Sequence, residues 1–252
     1  MFSTEKIKDW FEIYTEGFKV SGVLPRMLEM KKEHSVRVCE HCLMLADSME
    51  WDDAKELWTA YAIGLLHDIG RFPQYAEYGT FLDSQSTDHG DLAEDILKER
   101  LPRGEIPEWE MRCLLAAVKY HNKKDVPTNI PLGIYRWCAL VRDADKIDIF
   151  RMVQERIDNG TIFDMLPRHR PAKEISPALV EEISQTGKGS YSNARSLQDY
   201  RLIQLTWGCD LNFPASAAIL REDGIFDRIA ADLRPYGIDW LVDELLRRID
   251  SI

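Results

Sequence analysis

Histidine is scarce in this 252-residue chain, and four of its six copies fall into one ordered set with two aspartates: His34, the adjacent pair His67 and Asp68, His89, His121 and Asp145. Neutral imidazole and carboxylate are the ligands preferred by Zn, Fe, Mn, Co and Ni, and a set that mixes them without thiolate suits a first-row divalent ion. Such a centre offers Lewis-acid chemistry, because a single Zn already takes the pKa of bound water from about 15.7 to about 7. The gaps between successive ligands are 33, 22, 32 and 24 residues. Each ligand can therefore come from a different helix converging on one core, which is how helical bundles build metal sites.

Helical periodicity dominates and strand-like alternation is scarce, so the fold is predicted to be all-α. The apolar spacing predicts helices over 4–19, 26–50, 53–69, 88–100, 107–122 and 131–158, with a second group over 177–186, 196–210, 214–232 and 238–250. Pro107, Pro131, Pro177 and Pro214 mark helix starts, where a fixed φ and a missing N–H are tolerated. Gly70 reads as the stop after His67 and Asp68, a pair that is costly to bury without a cation to compensate it. Steps of three and four from His34 reach Val38, His41, Cys42 and Leu45, so His34 faces the core. His41 lies about 10 Å further along the same face at the helical rise per residue, and reads as a core histidine. Ile134, Cys138, Val141, Asp145, Asp148 and Met152 form one stripe, whereas Asp143 lies about 200° round from Asp145 and points elsewhere. Asp148 is expected either to support a ligand or to pair with a base. Residues 159–176, with Gly160, Pro167 and Pro171, are the linker-like stretch. They divide a metal-binding core, 1–158, from a C-terminal helical extension, 159–252, expected to pack on it.

A hydrophobic content of 45% lets the chain bury a substantial core. The net charge of −11 argues against long nucleic acid as a partner. A small anion remains compatible, because divalent ions add positive charge locally and Arg71, Lys119, Lys123, Lys124 and Lys146 lie close in sequence to the ligands. Cys39, Cys42, Cys113, Cys138 and Cys209 sit in apolar helical contexts and are expected as reduced thiols. The CxxC formed by Cys39 and Cys42 has no second pair, and Gly187-Lys188-Gly189-Ser190 lacks phosphate-loop spacing and reads as a turn. The start, Met1-Phe2-Ser3-Thr4-Glu5-Lys6, has no apolar leader, and the run Tyr61 to Leu66 is far short of the roughly 20 residues of a membrane span. The expectation is a cytoplasmic protein without membrane association; self-association into a homo-oligomer stays open.

His34-Ser35-Val36-Arg37-Val38, Leu65-Leu66-His67-Asp68-Ile69-Gly70-Arg71, His89, His121 and Asp143-Ala144-Asp145-Lys146, in that order, resemble the HD-domain superfamily of metal-dependent phosphohydrolases in its HDIG form. The resemblance implies an HD-domain helical bundle, to which the later helices are additional. It implies two divalent ions, one held by His34, His67, Asp68 and Asp145 and the other by Asp68, His89 and His121, with Asp68 bridging. The ions are drawn from Mn, Fe, Zn, Ni, Co and Mg, with Fe or Mn favoured. The implied reaction is hydrolysis of a phosphate ester, in a small nucleotide or another phosphorylated metabolite, by a metal-bound hydroxide. Asp68, Arg71 and Lys146 are then the catalytic candidates, Arg71 as a bidentate phosphate clamp and Lys146 as a point charge. Gln74, Tyr78 and Thr80, from an aromatic and hydroxyl-rich stretch across the mouth of the site, and Lys123 complete the candidate substrate contacts with Arg71 and Lys146. After His121 the chain reads Asn122-Lys123-Lys124-Asp125-Val126-Pro127, without the Gly-Tyr-Pro signature of the HD-GYP branch, so cyclic dinucleotide cleavage is not implied. The alternatives are a di-iron oxygenase of the same superfamily, which uses the same six ligands, and a sensor that binds a nucleotide without turnover.

Overall fold

The computed structural model of the protein describes residues 3–102, 104–166, 171 and 173–252; Pro167, one of the expected linker residues, lies outside them. Regular structure among the described residues is helical, apart from an isolated β-bridge between Val20 and Val23. The chain forms two compact units, Met1–Asp148 and Ile149–Ile252.

The first unit contains α1 (Thr4–Glu16), α2 (Arg26–Ser48), α3 (Ala54–Leu66), α4 (Arg71–Tyr78), α5 (His89–Arg100), α6 (Glu108–Tyr120) and most of α7 (Leu132–Asp158). α3 is apolar almost all round, which forces it to the centre. Trp58, Ala62, Ile63, Leu65 and Leu66 are buried, and α1, α2 and α6 pack around them. α2 approaches α3 closely because Gly64 has no side chain; a Cβ there would lie 2.5 Å from Cys39 Cα. Side-chain caps fix three helix starts: Ser3 accepts from Lys6 N, Asp53 from Lys55 N, and Asp88 from both Gly90 N and Asp91 N.

Two expectations need correction here. The helix expected over 53–69 ends at Leu66, and Gly70 does not terminate it but opens α4 with right-handed backbone angles of −64° and −21°. Gly70 is needed for space, since a Cβ on it would fall 2.2 Å from His89 O. α4 itself is hidden from the pattern by Pro73 and Gly79. Pro73 occupies the first helical turn, where its missing N–H costs nothing, and Gly79 is the left-handed cap at φ +66°.

The second unit contains the end of α7, α8 (Ile162–Met165), α9 (Pro177–Thr186), α10 (Leu197–Gly208), α11 (Pro214–Glu222), α12 (Ile225–Leu233) and α13 (Asp239–Asp250). α10 opens on a capping box of Ser196 and Asp199 and packs against α12 and α13. Arg201 is buried there, donating to Asp232, Gln204 and Gln154. The single helix expected over 214–232 is two, because Gly224 turns left-handed at φ +67° between α11 and α12. All five cysteines are free thiols, and no helix among the described residues is long and apolar enough to cross a membrane.

Candidate metal centre

Five helices deliver the six expected ligands. His34 rides on α2, His67 caps the C-terminus of α3 with Asp68 next to it, His89 is the first residue of α5, His121 caps α6, and Asp145 lies on α7. Four ring nitrogens are already committed to the protein. His67 Nδ1 and His121 Nδ1 lie 2.8 Å from Gly64 O and 2.6 Å from Val118 O, each three residues back in its own chain. A carbonyl only accepts, so both Nδ1 atoms carry the proton. His34 Nδ1 lies 2.7 Å from Asp148 Oδ2, and His89 Nδ1 lies 2.8 Å from Asp83 Oδ2. In the neutral ring, every Nε2 is left bare and turned inward.

The bare nitrogens converge in pairs. His34 Nε2 and His67 Nε2 are 3.3 Å apart, and His89 Nε2 and His121 Nε2 are 3.0 Å apart. Asp68 stands between the pairs. Its Oδ2 is 3.5 Å from His34 Nε2 and 3.6 Å from His67 Nε2, while its Oδ1 is 3.4 Å from His89 Nε2 and 3.6 Å from His121 Nε2. Within the triads His34, His67, Asp68 and Asp68, His89, His121 the ligand atoms all lie within 4.8 Å of one another. Asp145 Oδ1 adds a contact of 3.0 Å to His34 Nε2 and one of 3.9 Å to His67 Nε2. Lone pairs facing one another in a buried site repel unless a positive charge lies between them. The donor set therefore fits divalent ions, with neutral nitrogens and carboxylate oxygens of the kind first-row metals take.

Burial and charge prepare these groups. Burial holds His67 down at about 3 and His89 at about 4, so both imidazoles are neutral near pH 7, the form a metal takes. At His34 burial pulls the same way, yet the carboxylates of Asp145 and Asp148 outweigh it and raise its pKa. Burial opposes the charge on Asp68, but Lys31, the neighbouring imidazoles and Arg71 hold its carboxyl well below the usual range. Asp148 behaves similarly, brought to about 2 by His34 and Arg37 against the effect of burial.

A model of the HD domain matches residues 32–159. The chain belongs to the HD domain family. No curated protein and no solved structure matches it. The family is one of metal-dependent hydrolases for the most part, and the buried histidine and aspartate groups could hold a metal ion.

Around this HD centre the other expected residues have different positions. Arg71 Nη1 donates to Gln74 Oε1, Phe81 O and Asp83 Oδ1, and its Nε lies 3.5 Å from Asp68 Oδ1. Its side chain is 15% exposed, so Arg71 is built into the wall of the site as much as it faces the opening. Gln74 is buried, and its Nε2 donates to Asp83, Ser86 and Thr87; it holds the loop and has no surface for a ligand. Thr80 Oγ1 accepts from Leu82 N, and Tyr78 is half-exposed at the end of α4. Lys123 Nζ sits 2.6 Å from Asp88 Oδ1 and 3.0 Å from Asp91 Oδ2, tying the end of α6 to the start of α5. Lys146 follows Asp145 on α7 and is half-buried. Three residues escape the sequence reading as functional: Asp83, which orients His89; Lys31, whose Nζ lies 2.7 Å from Asp68 Oδ2; and Asn122, whose Nδ2 donates to Asp83 and Asp88. For Lys31 a signal existed, since it lies one turn before His34 on the same helical face.

Proposed function

We propose that this HD domain hydrolyses a phosphate ester of a small nucleotide or another phosphorylated metabolite at a dinuclear centre of the HDIG kind. The observation that carries the reading is the placement of Asp68, each of whose oxygens faces its own pair of imidazole nitrogens. His34, His67, Asp68 and Asp145 would hold one ion, and Asp68, His89 and His121 the other. When bound, the ions lower the pKa of water and offset the charge of the phosphoryl oxygens. The chain's own part is orientation. Asp148 and the carbonyls of Gly64 and Val118 fix which nitrogen each ring presents, as Asp83 does for His89. Arg71, anchored on the loop carbonyl of Phe81, sets a guanidinium beside Asp68, and Lys146 is kept as a second candidate cation for the substrate. The metal-binding core through residue 158 carries all of these residues, and 159–252 is an extension.

An all-nitrogen-and-oxygen donor set accepts Fe or Mn readily, which keeps the di-iron oxygenase as the second reading. The deciding experiment loads anaerobically purified protein with Mn or with Fe and measures metal content, phosphate release from a panel of monoesters and diesters, and O₂ uptake. Two ions per chain and phosphate release from at least one small ester are expected. No release from any ester, with O₂ consumption by the iron form, moves the protein to the oxygenase reading.

A further inference from the structure

Lys31 belongs to neither triad, yet its ammonium is closer to the shared carboxylate than any guanidinium: Nζ lies 2.7 Å from Asp68 Oδ2, against 3.5 Å from Arg71 Nε to Asp68 Oδ1. The side chain of Lys31 is 22% exposed, where that of Asp68 is 3% exposed, so it occupies the open edge of the site. Phe81 completes that edge, its ring centroid 5.7 Å from Lys31 Nζ and 5.7 Å from Arg71 Cζ. The two cations differ in what neutralises them. Arg71 is paired with Asp83 at 2.9 Å, whereas the carboxylate that Lys31 meets is a candidate metal ligand.

We infer that Lys31 binds the anionic group of the substrate beside the ions and does not support the ions themselves. The inference rests on the phosphate-ester reading above. Asp68 Oδ2 faces Lys31 as well as His34 and His67, so an ion held by His34, His67 and Asp68 would lie beside the ammonium, and two positive charges at one carboxylate repel each other. Lys31 therefore weakens ion binding through charge alone. An anion bridging the ion and the ammonium turns the same repulsion into attraction on both sides, so the residue favours a phosphoryl oxygen at that edge. Its unbranched stem, partly exposed and ending on a point charge, allows the ammonium to leave Asp68 for that oxygen.

This predicts effects of opposite sign from one substitution. Mn binding to the full chain is measured by titration calorimetry, and inorganic phosphate binding to the Mn-loaded protein in the same way, for wild type, Lys31→Met, Lys31→Gln and Lys31→Arg. Lys31→Met and Lys31→Gln are expected to bind Mn several-fold tighter and phosphate about tenfold more weakly, the loss of one charge-assisted hydrogen bond. Lys31→Arg is expected to return phosphate binding to near the wild-type value. A residue that merely supports the site predicts that both affinities fall together, and that result overturns the inference. Wild-type protein that binds phosphate with Lys31→Gln matching it also overturns Lys31's role while leaving the phosphate-ester reading standing. Wild-type protein that binds Mn but neither binds phosphate nor hydrolyses any ester overturns that reading first, and the anion assigned to Lys31 with it.

Discussion

A histidine offers a metal whichever ring nitrogen its surroundings leave bare, and here two aspartates outside the candidate ligand set make that choice for two of the four rings. Asp148 takes His34 Nδ1 and Asp83 takes His89 Nδ1, while backbone carbonyls do the same for His67 and His121. Carboxylates in this position typically contribute 10- to 100-fold, taken as about tenfold or more, in metal affinity. Asp83→Asn is therefore expected to weaken the ion on the His89 and His121 side by about that factor and to leave the His34 and His67 side nearly unchanged; Asp148→Asn is expected to do the reverse. A two-site Mn titration reads both, and variants that weaken both sites alike would mean that the aspartates act through the overall charge and not through ring orientation. Asp148→Asn also removes an ionised partner of Arg37, so its thermal midpoint should fall as well. The candidate ligands are legible in the sequence because His and Asp at helical spacing must be either compensated or exposed. Their supports are not. A carbonyl at Gly64 or Val118 has no signature in residue type, and Asp83 looks like any turn aspartate until the fold brings it to His89.

At the scale of elements, the site depends on where helices are allowed to approach each other. α4 and α5 meet at Gly70, whose backbone angles suit any residue but whose missing Cβ admits His89 O. Gly70→Ala keeps the backbone unstrained and forces the first turn of α5 outward, carrying His89 with it. The expected cost is about 3 kcal/mol from overpacking, read as a fall of about 10 °C in the thermal midpoint, together with loss of the ion on the His89 side. Gly79→Ala is the control. Gly79 is left-handed with open space around it, so its substitution should cost about 1 kcal/mol of backbone strain and leave ion binding unchanged. Equal loss of metal in the two variants would separate the effect from the Gly70 contact. These two glycines and Gly224 also explain what periodicity misses. Gly70 reads as a stop and is a space; Gly224 reads as a helix interior and is a stop. A hydrophobic pattern records which face is buried, and it is silent on how near a neighbouring backbone comes.

On the scale of the whole molecule, all six candidate ligands lie in the unit 1–148, and the buried core of the other unit, with Val153, Ile162 and Tyr200, contains none of them. Composition marks an interruption at Gly160, whereas contacts divide the chain inside α7, because one continuous helix passes from the first set of neighbours to the second and nothing in its residue types marks the passage. Ligands that bind only the folded state stabilise it by mass action, about 2.7 kcal/mol for each ion present at 100 times its dissociation constant. That stabilisation belongs to whatever opens when the ligands separate. If the units open separately, Mn should slow amide exchange in α2, at residues 67–70, and in α5 and α6, with residues 177–250 exchanging at the same rate with and without metal. Hydrogen-exchange mass spectrometry on the full chain, with Mn and with a chelator, measures this directly. Equal slowing in 177–250 would mean that the chain opens as one cooperative body, so that metal loading governs the stability of the later helices as strictly as it does the site.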